Sequence, residues 1–275
     1  MFCMCQFYGF FIILIKYIVS ILFYDVQPQK VIRIITAFIA KETQKRDSKG
    51  VVVGLSGGLD SSVAASLAVR ALGPRYVFAL ILPDSSITPK SDIYDAQHLA
   101  KSLKVRYRTI EIGTMKKSLI EKLPRNKLAG GNFASRLRMG ILYYYATVMH
   151  RLVLGTADKS ELRLGYYTKH GDGAADIFPM ADLYKTEVRE LAKHLQIPSA
   201  ISEKKSSPRL WRAQTAEDEI GLSYEEIDHI LRRLDDTNIS YKSELNPKYL
   251  ERIKALVENN KHKQETPPIC KINNS

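Results

Sequence analysis

Two adjoining stretches decide the fold: residues 51–55 (VVVGL) and residues 56–62 (SGGLDSS). The first is a short unbroken apolar run, which predicts a strand buried on both faces of a parallel sheet. The second is a glycine turn that leads into an Ala- and Leu-rich helix predicted over Ser61 to Leu72. A strand, a glycine turn and a helix in this order aim backbone N–H groups and the positive helix end at one point. The sequence therefore predicts an anion site here.

The predicted anion loop differs from two common phosphate-binding motifs. It contains neither Gly-x-x-x-x-Gly-Lys-[Ser/Thr] nor Gly-x-Gly-x-x-Gly. The hydroxyls of Ser56, Ser61 and Ser62 add hydrogen-bond donors, and Asp60 adds a carboxylate. Phosphates would repel Asp60 unless a cation lay between them, so Asp60 indicates Mg²⁺. A plain Gly-Gly turn capped by serine and aspartate is the alternative interpretation.

Strands and helices alternate around this loop. A helix beginning at Pro28 would bury Val31, Ile34, Ile35, Phe38 and Ile39, which follow helical spacing. Further strands are predicted over residues 76–82, 105–112 and 152–154, and further helices over residues 91–103 and 132–150. This alternation predicts an α/β fold with a doubly wound, mostly parallel sheet and helices on both faces.

The chain becomes helical after residue 180, which predicts a helical C-terminal part. Asp182 is the predicted cap of a helix over residues 184–195, and Ser223 with Glu226 forms a capping box before a helix over residues 224–234. Asn246 and Pro247 predict the start of a helix over residues 248–259.

The composition is that of a globular protein. The 275 residues are 45% hydrophobic and 25% charged, which excludes a disordered or collagen-like chain. With 41 Lys and Arg against 29 Asp and Glu, the net charge of +12 indicates an anionic partner: nucleotide phosphates, RNA or an acidic surface. Three cysteines cannot form a disulfide scaffold and are typical of a cytoplasmic protein.

The first 24 residues are unusually apolar. The run over residues 7–23 is close to the lower length limit for a membrane span, and Lys16 at its centre would cost roughly 2.5–3.5 kcal/mol there. No basic residue precedes the run, so it does not fit a secretory signal peptide. Three interpretations stay open: a membrane anchor, a segment that packs on the domain or a partner chain, and an over-extended start, which we favour.

The loop SGGLDS (residues 56–61) resembles the pyrophosphate loop, SGGxDS, of the N-type ATP pyrophosphatases, which cleave ATP between the α and β phosphates. Four later segments resemble motifs of ammonia-dependent NAD synthetases: residues 132–139 (NFASRLRM), 155–161 (GTADKSE), 165–173 (GYYTKHGDG) and 217–221 (EDEIG). The resemblance covers residues 25–265 and implies a synthetase-like ATP pyrophosphatase domain there; residues 1–24 are then a hydrophobic extension and residues 266–275 a polar tail.

The resemblance also implies the residues of the site. Asp60 and Glu161 would ligate Mg²⁺, and with Lys185 they would form the catalytic group. The ATP site would comprise Gly54, Leu55, Ser56, Gly57, Gly58, Leu59, Asp60, Ser61, Thr156, Lys185 and Ser207. The contacts with deamido-NAD would come from Arg136, Lys169, Asp176, His262 and Lys263.

Several of these positions also have a physical interpretation. Thr156 and Glu161 follow the C-terminal end of a predicted strand, where open α/β sheets bind ligands. Lys185 begins a helix, whose dipole disfavours a cation, so we expect a compensating anion such as an ATP phosphate. Arg136 and Arg138 lie two residues apart and face different sides of a helix. The resemblance favours Arg136 as the substrate contact.

Other interpretations stay open at some positions. On their own, Glu161 fits a solvated carboxylate at a helix start, Lys169 fits a surface cation, and residues 262–263 fit a solvated tail. Residues 205–208 (KSSP) depart from the family pattern K-P-[S/T]-A, and Pro208 fixes φ and removes an N–H beside Ser207.

The implied activity is that of an ammonia-dependent NAD synthetase, a ligase that forms a carbon–nitrogen bond in the last step of NAD biosynthesis. ATP would adenylate the nicotinate carboxylate of deamido-NAD, and ammonia would then yield NAD with release of AMP and diphosphate. A glutaminase domain would need a couple of hundred further residues, so we expect the nitrogen to come from free ammonia or from an unidentified partner. The family resemblance further implies a homodimer in the cytoplasm.

Two other classes of function are alternatives. A tRNA-modifying enzyme with the same loop would use the positive charge to hold RNA, but an appended basic domain and a catalytic cysteine pair are missing, so no nucleic-acid partner is expected. A non-catalytic nucleotide-binding protein would have lost its metal or phosphate residues, whereas Asp60, Glu161 and Lys185 are all retained.

Overall fold

A four-stranded parallel sheet organises the computed structural model, which describes residues 27–235 and 246–272. The strands are β1 (Val51–Gly54), β2 (Val77–Ile81), β3 (Arg106–Thr109) and β4 (Leu152–Leu154), in the order β3-β2-β1-β4. Val51 is paired with Val77 on one side and with Leu152 on the other. The predicted parallel sheet is confirmed, and β1 lies between β2 and β4 within it.

Helices follow and flank the strands. They are α1 (Pro28–Lys45), α2 (Leu59–Leu72), α3 (Lys90–Ser102), α4 (Gly113–Ile120), α5 (Lys127–Met149), α6 (Lys159–Leu164), α7 (Lys185–His194), α8 (Ser199–Ser202), α9 (Ala216–Ile220), α10 (Tyr224–Asp235) and α11 (Pro247–Asn260). Two one-turn 3₁₀ helices lie at Pro74–Tyr76 and Lys261–Lys263. No helix among the described residues is long and apolar enough to cross a bilayer.

Side chains alternate between the two faces of β1. Val51 and Val53 pack in the core formed with α1, α2 and α7, whereas Val52 packs in a second core under α5. A third apolar cluster joins α6, α9, α10 and α11 around the fully buried Tyr224. The sheet is therefore covered by helices on both faces, and the C-terminal helices have a cluster of their own, as predicted.

Several local predictions are wrong. Ile34 and Phe38 are exposed, while Ile32 is buried, so the buried face of α1 lies about one residue away from the predicted one. Asp182 does not cap α7. Tyr184 occupies the cap position, and its N–H donates to the Glu187 side chain at 2.8 Å.

Other local predictions differ in extent. Helix α5 begins at Lys127 rather than residue 132, because Asn126 caps it by accepting a hydrogen bond from the N–H of Ala129. The capping box of Ser223 with Glu226 and the cap of α11 by Asn246 are confirmed. The predictions for residues 1–24 lie outside the described residues.

Candidate active site

Serine hydroxyls hold the phosphate loop (residues 56–61) in one conformation. The hydroxyl oxygens of Ser56 and Ser61 lie 2.9 Å apart, and Ser61 Oγ also accepts from the N–H of Ser56 at 3.2 Å. Ser62 is buried and donates to the carbonyl oxygen of Gly58 at 2.7 Å. The prediction that Ser62 offers its hydroxyl to an anion is therefore wrong.

Gly57 adopts a backbone conformation that favours glycine. Its φ is +77°, and a Cβ at this position would lie 2.1 Å from the carbonyl oxygen of Asp92. Gly58 is extended and precedes the first residue of α2, so the free N–H groups of that first turn follow the glycine pair directly. This is the geometry that favours phosphate binding.

A cavity of about 280 Å³ opens beside the phosphate loop. It lies at the C-terminal ends of β1, β2 and β4, as expected for a ligand site in an open α/β sheet. The predicted ATP residues that line it are Gly54, Leu55, Ser56, Gly58, Leu59, Asp60, Ser61, Thr156 and Ser207. Glu161 lines it as well, whereas Gly57 and Lys185 do not.

Lys185 is the centre of a buried charge cluster beside this cavity. Its ammonium nitrogen lies 2.8 Å from Asp60, 2.7 Å from Asp158 and 2.9 Å from Glu161, and its side chain is completely buried. The compensating anion expected for this helix-start lysine is therefore present in the protein as three carboxylates. The structure thus brings the three predicted catalytic residues together and adds Asp158.

Burial and neighbouring charges shift the pKa values of Lys185, Asp158 and Glu161, which together with Asp60 form this cluster. Burial raises the pKa of Asp158 to about 6 and raises the pKa of Glu161 well above its usual value, and the Asp60 charge adds to both shifts. Burial alone would lower the pKa of Lys185, but the three carboxylates outweigh it and raise that pKa. When all four groups are ionised, the cluster carries an excess of negative charge that favours a bound cation.

A network of hydrogen bonds positions Lys185 and Glu161. Asp158 caps α6 by accepting from the N–H of Glu161 at 2.9 Å, and Ser160 Oγ accepts from the N–H of Lys185 at the same distance. The buried Asp228 of α10 accepts from Ser160 Oγ and from the N–H of Thr186. The starts of α6 and α7 are therefore joined through one carboxylate of a third helix.

The cluster fits a divalent cation held jointly with substrate phosphates. The Oδ1 atom of Asp60 is buried and has no hydrogen-bond partner among the described residues. Carboxylate oxygens are the ligands that Mg²⁺ prefers, and Mg²⁺ is usually bound by one or two carboxylates plus phosphates. Among residues 27–235 and 246–272, no group of three His, Cys, Asp or Glu side chains is arranged to hold a metal by itself.

The structure brings together four of the five residues predicted to contact deamido-NAD. Arg136 donates from Nε to the carbonyl oxygen of Lys169 at 3.2 Å, and Lys169 donates to that of His262 at 2.7 Å. Lys263 donates to the carbonyl oxygens of Gly165 at 2.6 Å and Tyr167 at 3.1 Å. The turn after α11 is thereby attached to the loop over residues 165–173.

Asp176, the fifth predicted residue, lies beside the sheet edge. Its Oδ2 accepts from the N–H of Val153 in β4 at 2.7 Å, and its Oδ1 lies 3.5 Å from the hydroxyl of Tyr143. The residue is exposed, and the contacts that hold it are with β4 and α5. One of its oxygens is thus already used to bind the strand backbone.

Residues 204–212, here called the strap, contribute to the cavity wall. Lys204 donates to Asp92 at 2.8 Å and to the carbonyl oxygen of Gly57 at 2.9 Å, and Arg209 pairs with Asp92 at 2.9 Å. Ser207 lines the cavity, where its hydroxyl oxygen accepts from the N–H of Arg209 at 3.2 Å. The strap is therefore held to the phosphate loop by Lys204 and to α3 by both Lys204 and Arg209.

Sequence reasoning missed Asp158, Asp228 and Lys204 as parts of this site. Asp158 could have been found, because an Asp three residues before Glu161 has the spacing of a helix cap. Asp228 and Lys204 reach the site only through tertiary packing, and nothing in their local sequence indicates it.

The parallel sheet and the glycine loop at the C-terminal end of its central strand define a nucleotide-binding α/β protein. A family model described as NAD synthase matches residues 31–267. The chain belongs to the NAD synthase family, and the resemblance found in the sequence is confirmed.

Curated relatives are similar in sequence to this protein over most of its length. The NH(3)-dependent NAD(+) synthetase of Archaeoglobus fulgidus is 45% identical over 246 residues, which cover 89% of this chain and 97% of that protein. The NH(3)-dependent NAD(+) synthetase of Hyperthermus butylicus is 44% identical over 251 residues, which cover 89% of this chain and 91% of that protein.

Solved structures support the same fold. NMN synthetase from Francisella tularensis has a TM-score of 0.82 and 36% identity, covering 90% of this chain and 99% of that one. NH3-dependent NAD synthetase from Campylobacter jejuni, in complex with the nitrate ion, has a TM-score of 0.79 and 34% identity, covering 90% of this chain and all of that one.

Proposed function

We propose that this protein catalyses ammonia-dependent synthesis of NAD, a ligase reaction. ATP adenylates the nicotinate carboxylate of deamido-NAD, and ammonia then attacks the acyl carbon and releases AMP. The observation that carries the proposal is the position of Lys185, which joins Asp60 of the phosphate loop to Glu161 beside one cavity. The relatives named NH(3)-dependent NAD(+) synthetase support this reaction and ammonia as its nitrogen donor.

The phosphate loop would hold the leaving diphosphate. Its glycine pair lets the backbone approach phosphate oxygens, and the first turn of α2 supplies N–H donors and a positive dipole end. Thr156 and Ser207 line the same cavity and would add hydroxyl contacts to ATP. Catalysis would come mainly from positioning and charge neutralisation, because no protein nucleophile is needed.

Asp60 and Glu161 would hold Mg²⁺ together with the ATP phosphates, and the ion would neutralise charge on the departing diphosphate. Lys185 would keep both carboxylates in place, since its ammonium group contacts each of them in the folded protein. The buried Oδ1 of Asp60, which no described residue hydrogen-bonds, supports this assignment.

Deamido-NAD would lie against the surface formed by Arg136, Lys169, His262 and Lys263, with Asp176 as a further contact. The hydrogen bonds that join the first three residues support this placement.

We further propose a cytoplasmic homodimer with no nucleic-acid partner. Beside Arg136, the apolar residues Ile141 and Tyr144 of α5 line an open groove, which suits contact with a second copy.

We also propose a division of the chain into a hydrophobic extension over residues 1–24, a synthetase domain over residues 25–265 and a polar tail over residues 266–275. The match of the NAD synthase family model to residues 31–267 supports the central assignment.

Product analysis tests the proposed function. The purified protein is incubated with ATP, Mg²⁺ and ammonium, and with either deamido-NAD or nicotinate mononucleotide as the acid. We expect NAD and AMP in equal amounts from deamido-NAD, and slower turnover of the mononucleotide. Preferential amidation of the mononucleotide would instead favour NMN synthesis, the activity for which the Francisella tularensis protein is named. ADP as a product would contradict cleavage of ATP between the α and β phosphates.

A further inference from the structure

Two arginines of α5 lie in different surroundings. Arg136 is exposed and belongs to the proposed deamido-NAD surface. Arg138 is partly buried and lines the cavity beside the phosphate loop, where its Nε donates to the carbonyl oxygen of Leu82 at 2.9 Å. Leu82 directly follows β2, so Arg138 is fixed at the C-terminal edge of the sheet.

No described carboxylate forms an ion pair with Arg138. Among the described residues, no Asp or Glu oxygen lies within the 4.0 Å that defines an ion pair with its guanidinium group. The charges of Asp84 and Asp172 favour the protonated form of Arg138 from farther away, but both acids have other hydrogen-bond or ion-pair partners. Asp84 pairs with Lys116, and Asp172 accepts from Ser135 and from the N–H of Thr168.

A guanidinium group that lines a cavity and has no ion-pair partner among the described residues favours an anionic ligand. Burial lowers the pKa of Arg138, but an arginine side chain stays protonated in a protein. Holding such a charge away from water without a counter-ion is costly. A planar guanidinium group with free N–H donors matches the geometry of a carboxylate or a phosphate.

We propose that Arg138 binds an anionic oxygen of the reacting pair, either the α-phosphate of ATP or the carboxylate that attacks it. This inference rests on the proposed function. The N–H groups of the phosphate loop and the positive end of the α2 dipole would bind the diphosphate at one part of the cavity wall. Arg138 lies on the helix that also carries Arg136, so it connects the ATP cavity with the deamido-NAD surface. Its guanidinium would neutralise charge where the two substrates meet.

Substitution of Arg138 tests the proposal. R138Q removes the charge, R138K keeps it without the planar fork, and R70Q makes the same change at an exposed position of α2. We expect R138Q to lower kcat/KM by about 100-fold or more, as for loss of one donor to a developing charge. R138K should retain part of the activity, and R70Q should behave as the unsubstituted protein.

Separate readouts distinguish the two substrates and a purely structural role. Weaker calorimetric binding of ATP alone to R138Q would assign the contact to the α-phosphate. Unchanged ATP binding with a raised KM for deamido-NAD would assign it to the carboxylate. Added guanidinium ion should restore activity to R138A in either case. Normal kcat/KM for both substrates in R138Q, or a loss in R138A that guanidinium does not restore, would overturn the proposal.

The test separates this proposal from the proposed function. If the unsubstituted protein made no NAD, the proposed function would fail, whereas weaker ATP binding by R138Q would still support an anion contact. If the unsubstituted protein made NAD and R138Q did so at the same rate, only the Arg138 contact would be refuted.

Discussion

The ammonium nitrogen of Lys185 lies 2.8 Å from Oδ2 of Asp60, which joins the first turn of α7 to the first turn of α2. The start of α7 would otherwise be unfavourable, because a helix dipole disfavours a cation such as Lys185 at this end, whereas the Asp60 carboxylate suits the start of α2. The Asp60 carboxylate compensates the Lys185 charge, and Asp158 and Glu161 contact the same ammonium group, so the position of Lys185 is fixed. Folding and the proposed chemistry therefore depend on the same cluster.

Lys185→Met should both destabilise the protein and abolish NAD synthesis. The change leaves the buried Asp158 without its counter-charge, and breaking a buried ion pair in this way costs about 3–5 kcal/mol. Urea unfolding followed by circular dichroism measures the loss. Lys193→Met, on the same helix but with a side chain 71% exposed, is the matched control. Equal unfolding free energies for the two variants would refute the structural role of Lys185.

Asp60→Asn should stop turnover while leaving the fold intact. The amide keeps the size of the side chain but removes the charge proposed to hold Mg²⁺, so we expect activity to fall by about 100-fold or more. A coupled NAD assay over a range of Mg²⁺ concentrations measures it. Asp182→Asn is the control, because that side chain is 99% exposed. Near-normal activity at the usual Mg²⁺ concentration would remove Asp60 from the metal site.

The two glycines of the phosphate loop should differ in their tolerance of alanine. In Gly57→Ala the new Cβ would meet the carbonyl oxygen of Asp92 at 2.1 Å, in a backbone conformation with φ of +77°. In Gly58→Ala it would meet only the hydroxyl of Ser56 at 3.3 Å. We expect Gly57→Ala to lose about 1–3 kcal/mol of stability and most ATP binding, and Gly58→Ala to lose less. Thermal melting with and without ATP compares them, and the reverse order would contradict the loop geometry.

Asp84 should make stability depend on acid pH. Burial alone would raise the pKa of Asp84, but hydrogen bonds from Lys116 and Ser86 outweigh it and hold that pKa below its usual value. The stability that Asp84 contributes is therefore present above the unfolded pKa, about 3.9, and is lost as the pH falls through the lower folded pKa.

The Asp84→Asn variant tests this sign. At pH 7 it should be less stable than the unsubstituted protein by about 1–3 kcal/mol, because a buried hydrogen-bonded charge pair is broken. The difference should shrink as the pH falls below the unfolded pKa of about 3.9 and through the lower folded pKa, because the Asp84 side chain then becomes neutral as well. Urea unfolding at a series of pH values measures it, with Asp182→Asn as the exposed control. A difference that stays constant would contradict the assigned role.

Much of the fold could be predicted because local pattern and tertiary position agree around β1. The unbroken apolar run of that strand requires cover on both faces, and Val52 and Val53 indeed pack in different cores. The prediction for α1 was wrong where periodicity alone had to choose the buried face. Ile34 and Phe38 satisfy helical spacing, but the packing of α1 in the core buries Ile32 instead.

The site was predictable to the extent that its residues lie in contiguous motifs. Asp60, Glu161 and Lys185 converge as expected, whereas the role of Lys185 could not be deduced from its helix position alone. The dipole argument predicts a compensating anion, but the protein supplies it through side chains from separate segments. The place of Arg138 could not be predicted. The two-residue spacing shows that Arg136 and Arg138 face different sides of the helix, but it does not show which of them lines the cavity.

Oxygen-isotope tracing tests the central claim most directly. Deamido-NAD labelled with oxygen-18 in its nicotinate carboxylate is converted in the presence of ATP, Mg²⁺ and ammonium, and the nucleotide products are analysed by mass spectrometry. Attack of the carboxylate on the α-phosphate predicts that one labelled oxygen leaves with AMP and that the diphosphate carries none. Unlabelled AMP, or label in inorganic phosphate together with ADP, would contradict an adenylated carboxylate held beside the phosphate loop.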